Sequence, residues 1–109
     1  MADLLDRSIA REYASWFRAL ADPSRVQIVE YLARRNRPMP VAEIVAAVGL
    51  AQSTVSQHLK ILTAVRFVLV EAVGNARHYR INEACVACFP SAADVVMGRP
   101  APTPARGCA

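Results

Sequence analysis

Between Pro40 and Ile81 the apolar pattern of this chain changes period, and that change constrains the fold more than any other feature. Val41, Ile44, Val45 and Val48 recur at helical spacing, and Gly49 then breaks the run. Glycine just past a helix end supplies the left-handed conformation that closes it. A second helical segment follows from about Gln52 to Ala64, with Val55, Leu59, Leu62 and Val65 on one side. Its other side is Gln52, Ser53, Ser56, Gln57 and Lys60, so one face can be buried and the other cannot. The period then drops to that of a strand. Phe67 to Val73 is rich in β-branched residues, Gly74-Asn75 is a hairpin turn signal, and Arg77 to Ile81 forms the return strand.

The segments on either side are helical. Leu5, Ile9, Tyr13, Trp16/Phe17 and Leu20 repeat every three to four residues, which predicts an amphipathic helix over Leu4 to Ala21. Pro23 disfavours helical geometry at Asp22 and suits the first turn of a new helix, which carries Val26, Ile28/Val29 and Leu32. The stretch from Arg34 to Pro40 ends it, and Pro40 begins the third helix. After Asn82 the pattern is helical again. Pro90 is expected to interrupt it, with Ser91 and Asp94 as a capping pair for a short helix to about Met97. These readings place one domain over residues 1–97 and a flexible, proline-rich tail over residues 98–109.

A short helix, a glycine turn and a helix with one polar face make a helix-turn-helix, and a basic hairpin directly after it makes a winged helix. The expected fold is therefore mainly α with a small β-hairpin. Composition agrees: of 109 residues, 54% are apolar and 20% charged, and alanine occupies 20 positions. Net charge is +4, unevenly spread. Lys60, Arg66, Arg77 and Arg80 stand against Glu71 alone over residues 51–81, whereas the ends of the chain are close to neutral. An anionic partner should meet the middle of the chain.

The physical chemistry of that middle segment suits double-stranded DNA. Short polar side chains at a helix N-terminus reach base edges and phosphates in a major groove without filling it. The expected DNA-contacting residues are Gln52, Ser53, Thr54, Ser56, Gln57, His58 and Lys60 on the helix and Arg77 in the wing. Gln57 can make a two-point contact with adenine, and Lys60 suits phosphate or guanine. His58 and His78 read as DNA-contact or packing residues. For a single helix, a solvated face would be the simpler reading; the preceding tight turn and the following basic hairpin argue against it here.

Three blocks resemble the ArsR/SmtB family of metal- and metalloid-responsive repressors: Arg18 to Ile28, Gly49 to Leu62, and Gly74 to Ile81. The resemblance covers residues 15–82. It implies a homodimer formed through the first and last helices and an inverted-repeat operator. It also implies repression in the apo state and release by an inducer. It further implies that Gln52 to Lys60 is the recognition helix and that the wing at Arg77 touches flanking DNA. Two inducer sites common in the family have no counterpart here. Pro38 to Glu43 holds no thiol where a Cys-x-Cys is usual, and beyond Asn82 there is no histidine for an Asp/His/Glu zinc site.

What remains is Cys85-Val86-Ala87-Cys88, with Cys108 on the tail. Residues three apart in a helix share a face, with Cβ atoms about 5–6 Å apart. Thiolates select soft ions, and trivalent arsenic or antimony takes three sulfurs. The expected inducer is therefore As(III) or another thiophilic ion at Cys85, Cys88 and Cys108, with no cofactor needed for DNA binding. A redox switch on the same thiols and a cadmium or zinc site are the alternatives. Three cysteines make no disulfide framework, which fits a cytoplasmic protein. The longest apolar-or-glycine run, Ile44 to Ala51, is far below the roughly 18 residues of a membrane span. No catalytic constellation and no phosphate loop is evident, so neither an enzyme nor a small-molecule substrate is expected.

Overall fold

A computed structural model describes residues 4–98, and within them the side chains of all but residues 85–88, 90 and 91. Among the described residues, five helices and three strands run in the order α1 (Arg7–Ala19), α2 (Pro23–Arg35), β1 (Met39–Pro40), α3 (Val41–Val48), α4 (Gln52–Ala64), β2 (Val68–Val73), β3 (Ala76–Ile81) and α5 (Glu83–Val96). The architecture is a winged helix-turn-helix, mostly helical with a small antiparallel sheet.

Local chemistry explains the boundaries. Asp22 caps α2: its carboxylate accepts the backbone N–H groups of Ser24 (2.8 Å) and Arg25 (3.2 Å), and Pro23 fills the first helical position. Those N–H groups, Arg25's foremost, hold the Asp22 carboxyl below the usual carboxylate range. Asn36 closes α2 in the left-handed conformation, and Gly49 closes α3 with φ 74°. Gly74, at φ 62°, makes the two-residue turn that pairs β2 with β3 from Val73↔Ala76 to Val68↔Ile81. Asn82 caps α5 through Ala84 N–H and donates to the Arg66 carbonyl at 2.8 Å, pinning the start of α5 beside the end of α4.

The core is drawn from every element except β1's proline. Ile28 and Leu32 of α2, Met39, Ile44 of α3, and Val55, Leu59 and Leu62 of α4 are buried, as are Val68 and Ile81 of the sheet. Burying a side chain of this size contributes about 1.5–3 kcal/mol, so the helix-turn-helix is held mainly from its apolar side.

The fold departs from the sequence reading in three places. The sheet has a third strand, with Met39↔Tyr79 and Pro40↔His78 in antiparallel register, so Pro40 precedes α3 instead of starting it. The first helix is shorter at both ends, Arg7–Ala19. The third departure is α5, which runs unbroken through Pro90, so Ser91 lies inside a helix and not at its start. An interior proline costs a helix about 3 kcal/mol. Phe89 and Ala92 offset it: Ala92 is fully buried, and Phe89 meets Phe17 and Phe67 edge-on, with ring centroids at 5.2 and 5.4 Å.

Candidate nucleic-acid interface

The two sides of α4 are sharply divided. Val55, Leu59 and Leu62 are buried against the other helices and the sheet, whereas Gln52, Ser53, Thr54, Ser56, Gln57 and Lys60 are exposed. Ala51 occupies the cap position and offers no side-chain acceptor to the first-turn N–H groups. With no acidic residue in that turn either, the α4 N-terminus keeps the partial positive charge and free donors that attract phosphate.

The wing stands beside this face. Arg77 is exposed on β3, opposite Ala72. Ser56, Lys60 and Thr63 of α4 line one groove together with Val70, Arg77 and Tyr79 of the hairpin. Two cations from separate elements thus flank one groove whose lining contains no carboxylate. Thr63 and Tyr79 were not evident in the sequence, because only the packing of hairpin on helix brings them to the groove. The hydroxyl of Thr63 is already committed, donating to the Lys60 carbonyl at 3.0 Å.

His58 does not share the exposed face. Its side chain is only 15% exposed, and it turns towards the N-terminus of α2. The Arg25 guanidinium donates to His58 Nδ1 at 3.2 Å, and His58 Nε2 lies 4.0 Å from the Asp22 carboxylate. Of the two roles open to this residue, the packing role is the one its geometry suits. His78 is half-buried on β3, between Glu71 of β2 and Pro40 of β1.

The thiols are less fully placed. Cys85 and Cys88 fall in the first half of α5, three residues apart along one helix. Their side chains, and Cys108 altogether, lie outside the described residues. Among the described residues no group of three His, Cys, Asp or Glu side chains is placed to hold a metal ion.

Apolar side chains also remain uncovered at one end of the molecule. Leu4 and Leu5 before α1, Ile9 on α1, and Val96 and Met97 at the end of α5 are exposed. Leu4, Leu5, Ala10, Val95 and Val96 line a common groove between the two segments. Clustered apolar exposure of this kind marks an interaction surface.

Comparison with known proteins supplies the remaining findings. The family model described as "Bacterial regulatory protein, arsR family" matches residues 22–69. The chain is 37% identical over 83 residues to the HTH-type transcriptional regulator NmtR of Mycobacterium tuberculosis, covering 76% of this chain and 68% of that protein. It is 38% identical over 74 residues to a transcriptional repressor SmtB homolog of Synechocystis, covering 68% of this chain and 54% of that protein, so it spans about half of that relative. Among solved structures, the homodimeric winged helix-turn-helix DNA-binding domain of Mb0332 from Mycobacterium bovis, a possible ArsR-family transcriptional regulator, superimposes with a TM-score of 0.68. The identity is 31%, over 90% of this chain and 91% of that one.

Proposed function

Because this chain belongs to the arsR family of bacterial regulatory proteins, we propose that it is a homodimeric transcriptional repressor. It binds an inverted-repeat operator and is released by a thiophilic metalloid or metal. That it is a DNA-binding regulator and no enzyme follows from the family itself. The observation that carries the reading is the division of α4, whose exposed polar face and uncapped N-terminus stand next to Arg77 of the wing. Gln52, Ser53, Thr54, Ser56 and Gln57 enter the major groove, while Lys60 and Arg77 hold phosphates. His58 supports the face from behind.

The apolar ends of α1 and α5 support the dimer, and the homodimeric state of Mb0332 is consistent with it. Two copies related by a two-fold axis present two recognition helices to two half-sites. Among the described residues no helix is long and apolar enough to cross a membrane, and the protein acts in the cytoplasm.

The inducer is trivalent arsenic or antimony. Three thiols match its trigonal sulfur coordination, with Cys85 and Cys88 on α5 and Cys108 supplied by the 98–109 tail. Binding would shift α5 at the dimer interface and alter the spacing of the recognition helices; a coupling of about 1–3 kcal/mol suffices. The test is release from operator DNA in the presence of arsenite, antimonite, cadmium, zinc or peroxide. Arsenite is expected to release the native protein and to leave the Cys85→Ser/Cys88→Ser double variant bound. Normal arsenite release of the double variant would sink the site. Release by peroxide alone would replace the metalloid with a redox signal on the same thiols.

A further inference from the structure

A polar junction ties three helices together behind the DNA-reading face. Its centre is Arg25, in the first turn of α2. Its Nε donates to the Ala19 carbonyl in the last turn of α1 at 2.6 Å, and its Nη1 donates to His58 Nδ1 on α4 at 3.2 Å. A guanidinium has donors only, so Nδ1 of His58 is the acceptor and the ring proton sits on Nε2. That nitrogen faces the Asp22 carboxylate 4.0 Å away, and Asp22 is itself fixed as the cap of α2.

Trp16 and Ala19 of α1 share the buried core with Leu59 and Leu62 of α4, and the polar junction lies at the edge of that core. A groove lined by Ser15 and Arg18 of α1, by Ile61 of α4 and by Val65 just beyond it runs along the surface between the two helices at this end. Arg25 lies along that groove and bridges it. Helix α1 carries part of the exposed apolar end of the molecule, and α4 carries the DNA-reading face.

We propose that Arg25 and His58 are positioning residues that orient the recognition helix relative to α1. The inference rests on the DNA-binding reading above. The pair touches no base and no phosphate. It acts by passing the orientation of α1 to Gln57 and Lys60, the exposed neighbours of His58 in α4. In a two-fold assembly built on α1, the same link sets how far apart and at what angle the two recognition helices stand.

The test uses the full chain and an inverted-repeat duplex that the native protein selects from a random DNA pool. A second duplex carries one extra base pair between the half-sites. The native protein is expected to bind the second duplex at least about tenfold more weakly than the first. His58→Leu keeps the volume but cannot accept the bond, and is expected to lose about tenfold on the selected duplex. It should also bind the two duplexes within about threefold of each other. In His58→Asn the amide oxygen takes the place of Nδ1, and both affinity and spacing preference should return. Arg25→Met should match His58→Leu, and the double variant should lose no more than either single one. Should His58→Leu fail to fold, Arg25→Met carries the same expectation from the half-buried side of the junction.

Native affinity and spacing preference in both His58→Leu and Arg25→Met would overturn the proposal. So would a folded His58→Asn as impaired as His58→Leu. Failure of the native protein to select any DNA would instead overturn the function on which the inference rests.

Discussion

Gln57 and His58 are adjacent on α4 and do opposite things. Gln57 is exposed to solvent, while His58 is tucked against Arg25. The exposed residues divide further by what they can read. A glutamine amide matches an adenine edge in two places, so it carries sequence information; a lysine or arginine on a phosphate carries charge and none. Lys60→Ala and Arg77→Ala are expected to weaken binding on every sequence. Each should lower the slope of log affinity against log salt by about 1. Gln57→Ala should leave that slope unchanged and cost about 1–3 kcal/mol of discrimination between base pairs. Fluorescence anisotropy over a salt series, on selected and scrambled duplexes, separates the two behaviours. A Gln57→Ala variant that changes the slope alone would move that residue to the backbone class.

The α3–turn–α4 unit depends on a backbone feature that no side-chain contact reveals. Gly49 closes α3 at φ 74°, and a Cβ added there would meet nothing within 4 Å. The cost of Gly49→Ala is therefore conformational alone, about 1–2 kcal/mol, and should appear as a lower Tm with the fold retained. A Tm equal to that of the native protein would show that the turn accepts another conformation. α5 poses the opposite problem, since local preference argues against a helix through Pro90 and burial wins. Phe89 fits between Phe17 of α1 and Phe67 just before β2, tying α5 to the first helix and to the base of the hairpin. Its position beside Cys88 means that the same helix that carries the thiols is anchored in the core.

On the scale of the whole molecule, the polar groups of α4 and the wing and the apolar cluster at the chain's ends sit on different elements, although Ile61, Val70 and Val73 are also exposed on α4 and β2. The cations and amides of α4 and the wing form one surface; Leu4, Leu5, Ile9, Val96 and Met97 crowd another. A two-fold axis through the apolar end would relate the two recognition helices as equivalent copies for two half-sites. The Ile9→Glu/Val96→Glu double variant puts like charges across that axis and removes the apolar match. It is expected to sediment as a monomer and to lose at least about tenfold in operator affinity, because the second half-site no longer binds intramolecularly. A dimer that survives both charges would place the interface elsewhere.

Much of this was legible in the sequence because it is local. The side of α4 that is buried, the glycine that ends α3, the Gly74-Asn75 turn and the start of α2 at Pro23 are all encoded within a turn or two of chain. What the sequence could not reveal depends on residues far apart. Met39 and Pro40 become a strand only because β3 lies alongside them, almost forty positions later. Pro90 stays helical where Ala92 is buried and the half-buried Phe89 packs on Phe17 and Phe67 of other segments. His58 sits at an ambiguous position on the helix, neither centrally apolar nor fully exposed, and a period of 3.6 residues does not say what lies beyond such an edge. Periodicity orients a side chain about its own helix axis, whereas its partner is decided by how the helices pack. The polar face of α4 could therefore be read from one segment, but the Arg25–His58 link behind it became visible only in the tertiary structure.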